Sequence, residues 1–364
     1  MPIKVLVVDD TLFYRKMLSD VLKSLPDVEV VGTANNGKVA MSRIRTLQPD
    51  LLTLDVEMPE MNGLQVLQEI TAQGYDTECL MISSLTSKSG EIAVEALSLG
   101  ALEVIPKPEE DSAEKNMERI RKELEPKLRA FARKRELRSQ IRERPASAKA
   151  EARVPEARDT REIISRSKSL AERRESSLVV GVGVSTGGPK ALAGLIPQLP
   201  GNLKVPLFVV QHMPEFFTSS LAANLDAKSA VEVREAADGE IVRAGCVYLA
   251  PGGYQMMVAS AARGEKVFRV KDDPPENNCK PSVDYLFRSI AREYGSRSTG
   301  VVMTGMGSDG KLGSRVLKAS GGVILAQDAE TSVVYGMAKG IIEEGLADVV
   351  APLEQIGPEI LKTL

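Results

Sequence analysis

Residues 178–189 read Leu-Val-Val-Gly-Val-Gly-Val-Ser-Thr-Gly-Gly-Pro. A short apolar run, suited to a buried strand, empties into a glycine-rich turn, and Pro189 stands where a helix would begin. The same strand–turn–helix grammar recurs along the chain. Downstream, apolar runs at 205–210, 301–304 and 323–326 alternate with amphipathic stretches such as Val283–Tyr294. Upstream, strand-like runs fall at 3–8, 28–33, 51–54, 79–82 and 103–105. Between them lie helical stripes, of which Leu18, Val21, Leu22 and Leu25 keep the i, i+3, i+4, i+7 spacing of one helix face. Such alternation predicts parallel sheets with helices on both faces.

The two α/β regions are separated by a change of composition. From Lys127 to Glu175 there are 16 Lys/Arg against 8 Asp/Glu and few large aliphatics, too little apolar surface to offset chain entropy. The expected organisation is therefore a first domain over 1–125, a charged helical or disordered linker over 126–177, and a second domain over 178–364. The first is α/β, a doubly wound, five-stranded parallel sheet of the flavodoxin-like kind. The second is a doubly wound α/β domain with a β-rich edge. Short β-rich runs and turn signals between Ala230 and Val270 (Asp238-Gly239, Pro251-Gly252-Gly253) predict an antiparallel insertion or edge there. Residues 111–135 are expected to be helical in their first half, as the first domain's last helix, with Pro126 starting or kinking a second stretch.

Composition excludes several function classes. The 364 residues carry 47 Lys/Arg and 50 Asp/Glu, a net charge of −3, and only 7 Tyr, 7 Phe and no Trp. Nucleic-acid binding is not expected from such a balance. No apolar run reaches the roughly 18–20 residues that span a bilayer, so membrane insertion is not expected. The N-terminus lacks a signal-peptide pattern, which predicts a soluble, cytoplasmic protein. Three scattered cysteines, Cys79, Cys246 and Cys279, make neither a disulfide framework nor a zinc cluster. A single histidine, His212, excludes any centre built on two imidazoles.

In the first domain the strand ends carry the chemistry. Asp9 and Asp10 end the first run, Asp55 the third, Ser83 the fourth, and Lys107 follows the fifth. At the carboxyl edge of a parallel sheet, three gathered carboxylates call for a cation, and Mg²⁺ is the expected one. An acid cluster, a metal and a facing lysine suit an aspartate that accepts a phosphoryl group. Taken singly, Asp9-Asp10 also reads as a helix cap and Asp55 as the opening of a turn. The segments VLVVDD, LDVEMPEMNG, ISSLTS and IPKP together resemble a two-component receiver domain over residues 1–125. The resemblance implies Asp55 as phosphoacceptor, Asp10 and the carbonyl of Glu57 beside Asp55 as Mg²⁺ ligands with Asp9 assisting, Ser83 and Lys107 contacting the phosphoryl group, and a cis Lys107–Pro108 peptide. Val104 departs from it, standing where many receivers carry an aromatic switch residue.

In the second domain Ser185 lies within Gly183-Val184-Ser185-Thr186-Gly187, formally G-x-S-x-G. The helix that follows offers N–H groups and positive dipole to an oxyanion. A turn of this kind also binds phosphates. His212 directly follows the apolar run 205–210, and Asp309 follows the run 301–304 within Thr304-Gly305-Met306-Gly307-Ser308-Asp309-Gly310. A buried structural histidine and a helix-capping Asp309 are the bland alternatives. Together, three strand ends present the Ser/His/Asp set that base-activated nucleophilic catalysis requires. Its chain order matches neither chymotrypsin, subtilisin nor the usual α/β-hydrolase.

Those loops, with APGGY, PSVD and TSVVYGM, resemble the catalytic domain of chemotaxis protein-glutamate methylesterases, the CheB family, over about 178–350. The resemblance implies Ser185, His212 and Asp309 as a triad, with Thr186 and the backbone N–H of Met306 near the oxyanion. It implies a phosphorylation-activated esterase that hydrolyses glutamate γ-methyl esters on methyl-accepting chemotaxis receptors, releases methanol, and deamidates receptor glutamines. Mg²⁺ serves the receiver and no cofactor is expected at the esterase site. The implied partners are the receptors and a chemotaxis histidine kinase, with recruitment to receptor arrays. Ala338 and Gln255 stand where relatives often have proline and histidine, away from the triad. The alternatives are the same enzyme on a non-motility receptor array, a non-catalytic response regulator with a protein-binding output domain, and a DNA-binding regulator. The last would need a basic helix-turn-helix, and none is visible after Leu178.

Overall fold

The computed structural model describes residues 2–84, 86–142 and 175–364. These fall into two compact units, one within residues 1–143 and one within 144–364. The expected linker core, 143–174, lies outside the described residues.

The first unit is built on β1 (Ile3–Val8), β2 (Val28–Ala34), β3 (Leu51–Asp55), β4 (Glu78–Ser83) and β5 (Glu103–Pro106). They form one parallel sheet in the order β2-β1-β3-β4-β5, the doubly wound arrangement expected. The strands are hydrophobic along nearly their whole length because helices cover both faces. β1 and β3 are neighbours, and Val8 pairs with Leu54, so Asp9 and Asp55 emerge side by side at the carboxyl edge. The last helix of the unit is longer than the sequence suggests. It runs from Ala113 to Arg142, carrying Pro126 inside it. Leu124, Leu128 and Phe131 keep an i, i+4, i+7 stripe and are buried, and Arg135 pairs with Asp50 at 2.6 Å. That apolar stripe carries the helix past residue 125.

The second unit contains β6 (Val179–Val184), β7 (Leu207–Gln211), β8 (Glu232–Glu235), β9 (Cys246–Leu249), β10 (Gln255–Ser260), β11 (Lys266–Lys271), β12 (Ser298–Val302), β13 (Val323–Gln327) and β14 (Val349–Ala351). Seven of these make a wholly parallel sheet in the order β14-β13-β12-β6-β7-β9-β8. The expectation of an antiparallel insertion over 230–270 is corrected in part. β8 and β9 extend the main sheet in parallel, and only β10–β11 is an antiparallel hairpin. A ten-residue connection between β8 and β9 has the reach to return the chain in the same direction, which a tight turn does not. Phe268 of the hairpin packs against Phe208 and Tyr248 of the sheet, with ring centroids 4.9 and 4.7 Å apart.

The alternating glycines of β6 have a structural purpose. A Cβ at Gly183 would stand 2.5 Å from Val283, and one at Gly181 would stand 2.6 Å from Ile290. Their absence lets the helix Val283–Tyr294 lie directly on the central strand. No helix among the described residues is long and apolar enough to cross a membrane.

Candidate active site

At the carboxyl edge of the first sheet, Asp9 and Asp55 are almost wholly buried, whereas Asp10 is exposed. The three carboxylates offer oxygens within 4.8 Å of one another. Lys107 Nζ donates to Asp55 Oδ2 at 2.7 Å and stands 2.9 Å from Asp9 Oδ2, over the Tyr14 ring at 4.7 Å. Burial, reinforced by Asp9 and Asp10 and opposed by Lys107, pushes the Asp55 carboxyl up to about 6. One lysine does not neutralise three carboxylates in so dry a place. Asp9 Oδ2 is buried, and the ammonium it meets is the one that Asp55 also uses. An all-oxygen set in which two buried carboxylates share one lysine fits Mg²⁺.

Ser83 ends β4, but its Oγ donates to the carbonyls of Ser84 and, at 3.5 Å, Ser89, and makes no bond to Asp55. Glu57 lies two residues beyond β3 with its side chain exposed. The Lys107–Pro108 peptide, expected cis, is trans, and the one cis bond among the described residues is Lys280–Pro281. The β5 ladder continues through Lys107 N to Ser83 O at 2.7 Å, and Tyr14 Oη reaches Pro108 O at 3.2 Å, both with the extended trans chain.

The second sheet places its three residues by register. β6 lies between β7 and β12, and the ladder runs on past the strand ends. His212 N donates to Val184 O at 3.1 Å, and Ser185 N donates to Thr304 O at 3.0 Å. Gln211, fully buried, donates from Nε2 to Ser185 O and His212 O at 3.1 and 2.9 Å, pinning both turns. Gly305 lets the 304–310 loop close on the serine, because a Cβ there would stand 2.8 Å from Ser185 Cβ.

His212 Nε2 and Asp309 Oδ2 are 2.7 Å apart. Asp309 is 2% exposed, and donors surround it. Oδ1 accepts from Ser282 Oγ at 2.8 Å, Asp284 N at 3.0 Å and Asn277 Nδ2 at 3.2 Å, while Oδ2 also accepts from Val283 N at 2.7 Å. The N-terminus of the helix Val283–Tyr294 is thus aimed at this carboxylate. Burial works to raise the Asp309 carboxyl, but His212 and the two backbone N–H groups outweigh it and hold it at about 2. Burial works against the His212 cation, and the hydrogen bonds to Asp309 and Cys279 more than reverse this, lifting the imidazole to about 9.

The other imidazole nitrogen, Nδ1, faces Cys279 Sγ at 3.5 Å. Ser185 adjoins on the next strand end, 9% exposed, without an Oγ–imidazole hydrogen bond among the described residues. Thr186 is buried in the turn, and its carbonyl accepts from Thr304 Oγ1 at 2.9 Å. The Met306 N–H, partly exposed, has no acceptor among the described residues.

Several members of the site lie outside the sequence reading: Asn277, Ser282 and the helix start that hold Asp309, the Gln211 bridge, and Cys279 beside His212. Gln255, set aside as remote from the triad, is tied to it at one remove. Its Oε1 accepts from Ser282 N at 2.9 Å and its Nε2 donates to the carbonyls of Pro274 and Cys279, both at 3.2 Å. The one available signal was the Pro-Ser-Val-Asp run, whose serine precedes an apolar helical stripe as a helix cap does.

Comparison with known proteins agrees with this layout. Residues 5–120 match the family model of the response regulator receiver domain, and residues 180–360 match that of the CheB methylesterase. A protein-glutamate methylesterase/protein-glutamine glutaminase of Desulfotalea psychrophila is 43% identical, covering 100% of this chain and 98% of its own. A protein of the same name from Pyrococcus horikoshii is 38% identical over 100% of this chain and 94% of its own. The crystal structure of the Thermotoga maritima CheB methylesterase catalytic domain superposes with a TM-score of 0.51 at 43% identity, covering 52% of this chain and 100% of that one. A receiver fold followed by this second sheet, matched end to end by such relatives, makes the chain a member of the CheB family of response-regulator methylesterases.

Proposed function

We propose that the chain is a phosphorylation-controlled protein-glutamate methylesterase that also deamidates receptor glutamines, with Ser185, His212 and Asp309 as its catalytic residues. The observation that carries this reading is the 2.7 Å His212–Asp309 contact in one row with Ser185 at adjoining strand ends. Asp309 holds Nε2 as the protonated nitrogen and leaves Nδ1 to take the Ser185 proton. Ser185 Oγ then attacks the γ-carbonyl of a glutamyl methyl ester on a methyl-accepting chemotaxis receptor. The oxyanion is received by the Met306 N–H and the Thr186 region. The imidazolium returns its proton to the leaving methoxide, and methanol departs. Water, deprotonated by the same nitrogen, cleaves the acyl-enzyme to free glutamate and Ser185. A glutamine side chain passes through the same acyl-enzyme with ammonia as the leaving group. This chemistry is assigned to the chain's own groups, without a cofactor.

In the receiver unit, Asp55 accepts a phosphoryl group from a chemotaxis histidine kinase. Asp10, Asp55 and the Glu57 carbonyl, with Asp9 assisting, would hold Mg²⁺, which would supply charge neutralisation to the phosphoryl oxygens. Lys107 exchanges its bond to Asp55 Oδ2 for one to the phosphoryl group, and Ser83 turns its hydroxyl to the same group. The protein is expected in the cytoplasm, recruited to receptor arrays, with no nucleic-acid partner.

The test is methanol release from methylated receptor membranes. Wild type should release methanol, Ser185→Ala should not, and a small phosphodonor with Mg²⁺ should raise release only where Asp55 is intact. Wild-type protein that releases neither methanol from methylated receptors nor ammonia from glutamine-bearing ones would overturn the reading.

A further inference from the structure

Among the described residues, Cys279 is the one thiol within reach of both solvent and the triad. Cys79 and Cys246 are buried, at 0% and 2% exposed, whereas Cys279 is half-buried. Its Sγ stands 3.5 Å from His212 Nδ1. Two ligands on one tetrahedral zinc need that separation. With Zn–S near 2.3 Å and Zn–N near 2.0–2.1 Å, a tetrahedral angle sets sulfur and nitrogen about 3.5 Å apart.

The imidazole is also already dressed as a metal ligand. A metal-bound histidine ordinarily donates its other ring N–H to a carboxylate, and Nε2 faces Asp309 Oδ2 at 2.7 Å. That contact turns the Nδ1 lone pair to the cysteine side. His212, Cys279 and Asp309 cluster within 4.8 Å, but Asp309 is committed to Nε2 and the helix start, so the donor pair is Nδ1 and Sγ. The sulfur is presented by a held backbone. Cys279 N donates to Glu276 O at 2.7 Å, Glu276 N returns the bond at 3.1 Å, and Gln255 Nε2 caps the Cys279 carbonyl at 3.2 Å.

We propose that Cys279 Sγ and His212 Nδ1 form a binding site for a divalent cation of the zinc class, zinc or cadmium, whose occupancy reversibly inactivates the esterase. The inactivation rests on the reading of His212 as the general base. On binding, the thiol and, where the imidazole is doubly protonated, Nδ1 give their protons to solvent, sulfur and Nδ1 each displace one water from the hydrated cation, and no electron moves. The lone pair that would take the Ser185 proton then lies in the metal–nitrogen bond. The sulfur–nitrogen pair selects against Mg²⁺, which the all-oxygen receiver edge suits instead.

The test uses the full chain. Cadmium titrated without substrate should give the ultraviolet thiolate-to-metal charge-transfer band in wild type, and Cys279→Ser and His212→Ala should each weaken cadmium affinity by more than about tenfold. Zinc, buffered by a chelator, should slow methanol release from methylated receptors. Each variant is read against its own metal-free rate. Cys279→Ser should raise the half-inhibiting zinc concentration by more than about tenfold, and Cys279→His, which keeps a donor, should restore sensitivity. A band that survives in Cys279→Ser, or that persists unchanged in His212→Ala, overturns the proposal. So does inhibition of Cys279→Ser at the same zinc concentration that inhibits wild type. If the band needs both residues yet zinc leaves release untouched, the metal site stands, and it is His212 as general base that fails.

Discussion

Asp55, the last residue of β3, and Asp309, in the loop that follows β12, both lie at the carboxyl edge of a parallel sheet, and both are almost wholly buried. Their surroundings drive them in opposite directions. Asp55 lies among carboxylates with one lysine, and its carboxyl is pushed up to about 6. Asp309 lies among donors, at the start of a helix and against an imidazole, and is held at about 2. Burial opposes ionisation in both. What differs is whether the fold itself supplies the compensating positive charge and N–H dipoles. The first edge leaves that to a cation from solution and so can be switched by ligands. The second compensates its carboxylate internally, so that the charge is permanently available to the His212 imidazole.

The sharpest way to break the comparison is to remove the internally compensated charge. Asp309→Asn should lower kcat for methanol release by about 10⁴-fold, because the imidazole loses the partner that fixes its tautomer, and Ser185→Ala should cost at least as much. A loss below about tenfold in Asp309→Asn would mean that the Asp309 network is scaffolding.

The pH dependence tests the two edges against each other. A general base works in its neutral form, so a His212 lifted to about 9 should make kcat/KM climb with pH from neutrality towards that value. A profile already flat at about pH 7 contradicts the Asp309–His212 coupling. At the receiver edge the sign is the same but the window is lower. Asp55 takes up a proton as pH falls through about 6, so Mg²⁺ affinity, followed by titration of the full chain, should drop across that window.

Folding stability sharpens the same contrast. The Asp309 carboxyl lies below its ordinary 3.8, so it contributes stability that is present above that value and lost as pH falls towards about 2. Asp309→Asn should therefore flatten the acid limb of denaturant-unfolding free energy for the C-terminal unit, whereas Asp55→Asn should not.

The smallest expected effect is at Gln255. Gln255→Leu leaves Ser282 N–H and the carbonyls of Pro274 and Cys279 without their partner, at a cost of about 1–3 kcal/mol in stability. Through the loosened 274–282 loop, kcat should fall by about tenfold with KM little changed. Thermal unfolding and steady-state methanol release check the two parts separately.

Much of this was open to a reading of residues alone. The apolar runs mark most of the strands of both sheets because a strand buried on both faces must be apolar throughout, and that leaves a visible run. The polar residues that interrupt such runs at their carboxyl ends, Asp9, Asp55, Ser185 and His212, stand out for the same reason. The parallel pairing of β8 and β9 was not legible, because short strands with polar flanks do not encode the direction of their partner. Nor was the length of the helix through Pro126, where an i, i+4 stripe overrides a residue that ordinarily ends helices.

The sequence by itself determined the two α/β units, the strand ends that carry chemistry, and the identity of the only imidazole. Which groups stand at the other end of each charge was decided by tertiary structure alone. Asn277, Ser282 and Cys279 reach His212 and Asp309 across sequence separations of 27 to 67 residues. They do so because glycines 181 and 183 let one helix settle onto the central strand with its N-terminus at Asp309. Contacts of that kind follow from packing in three dimensions, and local periodicity carries no record of them.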